Sequence, residues 1–103
     1  MKMKCYTIIL GEVCGQGSPY DRVIGEYVVV GRKEVRKVLK EIKQTQFGFE
    51  NLPVEKTLKK LSWREMEVNQ DSFGNLNYSG YWLEIEKDIL EGEVVKEKYE
   101  GWW

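Results

Sequence analysis

The sequence predicts an α+β domain: a mainly antiparallel sheet of four to five strands with one or two helices packed on one face. Three observations predict it. Two β-rich segments are joined by a link too short for a crossover helix. One amphipathic helix follows them. Two strictly alternating segments then flank a turn-rich connection. The expected order is β-β-α-(α)-β-β-β.

The first strand covers residues 3–10, with Tyr6, Ile8 and Leu10 on one face and Cys5, Thr7 and Ile9 on the other. Both faces are largely apolar, which predicts a central strand. Residues 14–22 read as a turn-rich loop, and 23–30 as the second strand of a hairpin. Gly31 ends that strand. From Arg32 to about Gln46, Val35, Val38, Leu39 and Ile42 recur at i, i+3, i+4 and i+7 among Lys, Arg, Glu and Gln, so one face buries and the rest meets water. Gly48 is the candidate stop. A shorter helix is expected from Pro53 to about Leu61, capped by Asn51, with Val54, Leu58 and Leu61 inward.

Residues 63–70 and about 77–87 alternate around the turn 71–75, and a last strand is expected at 94–99. Their alternation predicts one face of Met66, Val68, Tyr81, Leu83 and Ile85 under the helices. Trp63, Glu65, Glu67, Trp82, Glu84 and Glu86 then share the other face. One register of that kind sets Glu65 opposite Glu84, an unfavourable pairing of like charges.

At 103 residues the chain is one domain, 1–103, without repeats or an internal linker. Hydrophobic content of 42% and aromatic content of 13% favour a globule over disorder. No run reaches the roughly 18 apolar residues of a membrane span, and no cleavage site follows the N-terminal apolar stretch. A cytoplasmic protein without membrane association is expected. Two cysteines, Cys5 and Cys14, fit a reducing compartment.

Charge is segregated behind a net of −1. Residues 1–31 are neutral, 32–64 carry net +6, and 65–103 carry net −7. This split predicts two charged surfaces. The acidic, tryptophan-bearing sheet face (Trp63, Glu65, Glu67, Trp82, Glu84, Glu86) is the first candidate, a docking surface for a protein with a basic surface. Trp102 and Trp103 are a second candidate, as anchors for a partner or for a homo-oligomer. The basic helices, through Arg32, Lys33, Arg36, Lys37, Lys40, Lys43, Lys56, Lys59 and Lys60, are the alternative, a phosphate-contacting patch for nucleic acid. That patch lacks interleaved aromatics and any recognised nucleic-acid motif.

Chemistry is sparse. Histidine is absent, which removes the commonest general base and metal ligand. Gly15 and Gly17 follow a strand, but no third glycine and no helix complete a phosphate cradle. Cys14 has no histidine to activate it. No catalytic residue, cofactor or metal is expected. The expected function is non-enzymatic: a small protein-binding domain, for example an inhibitor or anti-defence protein of a phage or mobile element that occludes a basic partner surface. The second alternative is a small ligand-binding or enzymatic domain using the loop 14–22.

Overall fold

In a computed structural model of the chain, residues 2–91 are described, with side chains from residue 4 to residue 88. The elements run β1 (Lys2–Gln16), β2 (Tyr20–Val30), α1 (Arg32–Thr45), α2 (Val54–Lys60), β3 (Ser62–Gln70) and β4 (Leu76–Glu91). The four strands make one antiparallel sheet in the order β2-β1-β4-β3, with both helices on the same face. The α+β class and the antiparallel sheet stand as predicted, with four strands among the described residues. The predicted strand 94–99 lies outside them.

As expected, β1 is central, paired with β2 on one side and β4 on the other. Its even-numbered residues Tyr6, Ile8 and Leu10 face the helices beside Leu83 and Ile85 of β4. Val35, Leu39 and Ile42 of α1, Leu58 of α2, and Phe49 and Leu52 of the loop between the helices close this core. Arg36 fastens α1 to α2 by a two-point pair with Glu55, Nε to Oε1 at 2.7 Å and Nη2 to Oε2 at 3.1 Å. Hydrogen bonding from Arg36 holds the Glu55 carboxyl below its ordinary range and raises the guanidinium in turn.

Three local expectations need correction. The loop 14–22 shrinks to residues 17–19, because Gly15 and Gln16 pair with Tyr78 and Asn77 of β4. Ladder bonding to β4 overrides a turn-rich composition. Asn51 does not cap α2; its amide donates to Glu65 Oε1 at 3.5 Å, and Pro53 stands at the cap with no side-chain bond. The register of β3 is the third. Ser62 pairs with Glu84 and Glu65 with Tyr81. Paired residues share a face, so Trp63, Glu65 and Glu67 lie on the helix side with Tyr81 and Leu83. Met66 and Val68 lie on the opposite side, 43% and 49% exposed.

The sheet outruns its helices. A strand of fifteen residues spans about 50 Å, and a helix of fourteen about 21 Å; the molecule is 59 Å long. Beyond Leu10 and Leu83 the sheet carries no helix on either side. There it coils toward its helix-free face. Arg64 of β3 reaches Asp21 of β2 at 3.2 Å, across what would be about 14 Å in a flat sheet. Val13 and Trp82, on that face, are only 2% and 8% exposed. Gly11 makes room for this: it pairs with Trp82, and the indole lies where a Cβ would stand. Gly80 admits the backbone of β3, with Met66 Cα 2.7 Å from the position of an added Cβ.

Candidate binding groove

The uncovered part of the sheet on the helix side forms the floor of a groove of about 480 Å³. Alternation supplies the floor: Glu12 and Cys14 from β1, Ser79 and Tyr81 from β4, Glu65 and Glu67 from β3. The chain leaving α1 supplies the wall. Gln46 is extended and Gly48 takes φ 93°, which turns Phe49 into the core and leaves Phe47 outside, 81% exposed. Phe47 and Tyr81 form a T-shaped pair at a centroid distance of 6.1 Å, while Phe49 packs on Tyr81 and Trp63. Gly48 lies against the Tyr81 ring and leaves no space for a Cβ. Glu50 bends back so that its carboxylate accepts the Gly48 N–H at 3.0 and 3.2 Å.

Four carboxylates thus line one aromatic groove: Glu12, Glu50, Glu65 and Glu67. Their local partners differ. Glu12 is paired with Arg22. Glu50 is held by Gly48, and Glu65 receives Asn51. Glu67 is exposed and makes no ion pair among the described residues. Among the described residues no group of three or more acidic or cysteine side chains converges closely enough to hold a metal ion. At the far end, a hydrogen bond with Cys14 raises the Tyr20 hydroxyl above its ordinary range.

The predicted acidic face is therefore divided. Trp63, Glu65 and Glu67 belong to the groove side, with Trp63 half-buried behind Phe49. Trp82, Glu84 and Glu86 lie on the helix-free side, where Trp82 is buried against Gly11 and Glu84 and Glu86 flank Ile9 and Thr7. Trp102 and Trp103 lie outside the described residues. Of the basic candidates, Arg36 is held by Glu55, Lys37 pairs with Glu34 at 3.4 Å, and Lys43 donates to the Leu52 carbonyl at 2.9 Å. Arg32, Lys33, Lys40, Lys56, Lys59 and Lys60 are exposed.

Sequence reasoning missed Glu12, Phe47, Glu50 and Tyr81 as groove residues. Phe47 carried a usable signal: in Phe47-Gly48-Phe49 only one of two phenylalanines flanking a turn can enter a core of this size. Glu12 and Glu50 carried none, since they come from two separate segments, β1 and the loop between the helices. Compared with known proteins, the chain matches no family model, and neither a curated protein nor a solved structure matches it.

Proposed function

We propose that the chain is a protein-binding domain without chemistry of its own, and that the groove receives a basic segment of a partner protein. One observation carries the reading: Glu12, Glu50, Glu65 and Glu67 converge on a groove whose aromatic surfaces, Tyr81 and the exposed Phe47, stand ready for the aliphatic stems of Lys or Arg. Carboxylates steer and select a basic partner, and aromatic faces add cation–π contact and area. Occlusion of a basic nucleic-acid channel is one use of such a groove, and fits the inhibitor expected from the charge split.

The test is binding of a fluorescent Arg/Lys-rich peptide, followed by anisotropy at low and moderate salt. Reversal of two groove charges, Glu65→Lys with Glu67→Lys, removes two attractions and adds two repulsions at exposed sites. At about 0.2–1 kcal/mol each, the change is about 0.8–4 kcal/mol, or roughly 4- to 700-fold in Kd. Phe47→Ala weakens binding without touching charge. An acidic peptide does not bind. The reading fails if the basic peptide does not bind at low salt. It also fails if short DNA binds instead and Lys37→Glu with Lys40→Glu abolishes it.

A further inference from the structure

We infer that the partner segment binds as an added strand on the free edge of β3, and that it alternates basic and apolar residues. This rests on the groove reading and specifies its ligand. Among the described residues β3 is an edge strand, paired with β4 alone in nine unbroken steps from Ser62↔Glu84 to Gln70↔Leu76. Beyond Arg64 no helix lies on it. Half of its backbone N–H and C=O groups therefore point outward along this edge, which is a template for another strand.

The two sides of that edge ask for different chemistry. On the groove side it presents Glu65 and Glu67, two residues apart. On the other it presents Met66 and Val68, both exposed. A strand laid beside β3 places alternate side chains on alternate faces. Its residues opposite Glu65 and Glu67 are then Lys or Arg, and those opposite Met66 and Val68 are apolar.

Charge also argues against a second copy of the chain as occupant. Two-fold pairing of β3 with itself centred on Glu65, Met66 or Glu67 sets glutamate opposite glutamate. The other edge, β2, is a poorer template. The register with β1 slips between Leu10 and Gly11, leaving Ile24 as an extra residue, and such a bulge turns an edge away from pairing.

The experiment compares four peptides on the full chain: an alternating Val-Arg-Val-Arg-Val-Arg, a block Val-Val-Val-Arg-Arg-Arg of the same composition, and two forms of the alternating peptide, each N-methylated on one set of alternate amides. Strand addition requires the alternating peptide to bind at least tenfold tighter than the block. It also requires one N-methyl set to lose at least tenfold while the other binds normally. On binding, the outward amides of β3 gain protection from hydrogen exchange, and Met66→Lys with Val68→Lys weakens the alternating peptide. Equal binding of both peptides, or of both N-methyl sets, overturns strand addition. The groove reading survives that result if Glu65→Lys with Glu67→Lys still weakens binding, and falls with it if no basic peptide binds. Protection of the same β3 amides by protein concentration alone would assign the edge to a second copy and overturn the inference.

Discussion

Replacing Gly11 by alanine tests how the helix-free face is built. An alanine Cβ would lie under 3.0 Å from three atoms of the Trp82 indole, among them Nε1 at 2.5 Å. The backbone is extended on both strands, so the ring must move. Trp82 is 8% exposed, and a tryptophan buries about 150–250 Å². Displacement that uncovers half of this, about 100 Å², costs about 2.5 kcal/mol at 25 cal/mol per Å². Relief of the glycine's conformational entropy offsets about 0.5–1 kcal/mol. The net loss is about 1.5–2 kcal/mol, a fall in Tm of about 6–12 °C for a domain near this size. Gly25→Ala is the control. It sits on the neighbouring strand, meets only the Leu10 side chain, at 3.6 Å or more, and should be neutral or stabilise by up to about 1 kcal/mol. Urea unfolding followed by circular dichroism measures both. A double-mutant cycle isolates the cause: in a Trp82→Ala background there is no indole to displace, and the cost of Gly11→Ala should vanish. An equal cost in both backgrounds refutes the argument.

Three further outcomes follow from the packing. Gly80→Ala meets backbone, Met66 Cα at 2.7 Å, and not a movable ring; it should cost more than Gly11→Ala, about 3 kcal/mol or above, and expose the β3 amides that pair with β4 to hydrogen exchange. Phe49→Ala removes a fully buried ring that supports Tyr81 and Trp63; unfolding should show a loss of about 3–5 kcal/mol. Asp71 accepts the N–H groups of Phe73 and Asn75 at 2.9 Å each, and the Asn75 backbone bond foremost holds its carboxyl below the ordinary 3.8. A depressed folded pKa stabilises above the unfolded value and loses that stability as pH falls through the folded one. Hairpin order at residues 71–75, followed by amide chemical shifts, should thus hold down to about pH 4 and decay below it, and Asp71→Asn should flatten the decay.

The legible part of the fold was the part whose pattern a core enforces. Val35, Leu39 and Ile42 must bury together, and Tyr6, Ile8 and Leu10 must meet Leu83 and Ile85, so period and face could be read directly. In β3 the same reasoning inverted the faces. Alternation in 63–70 is as strict as in β4, but α2 covers only its first residues. Met66 and Val68 gain nothing from the helix side, and Glu65 and Glu67 lose nothing there. An edge strand beyond the helix layer has no buried face to announce. The groove was hidden for a related reason: the sheet's overhang creates it, and an overhang is a ratio of element lengths that residue patterning does not encode.

What sets the β3 register, then, is contact at its two ends. At the start, Leu61 in a left-handed conformation ends α2 and accepts the Ile85 N–H at 2.9 Å, which aligns Ser62 with Glu84. Trp63 is drawn to the helix side by Phe49, at 5.6 Å between ring centroids. Midway, Gly80 lets Met66 approach where any other residue would hold the strands apart. At the far end Asp71 closes the turn. Side chains alternate with a period of two, so a slip of one residue would exchange the acidic row and the apolar row between faces. Glu65 and Glu67 would leave the groove, and Met66 would enter it beside Tyr81. The strand's weak patterning toward the core is thus compensated by specific fixing at Leu61, Trp63, Gly80 and Asp71. Because β3 is not specified by burial, its two faces are open to carry different chemistry toward a partner.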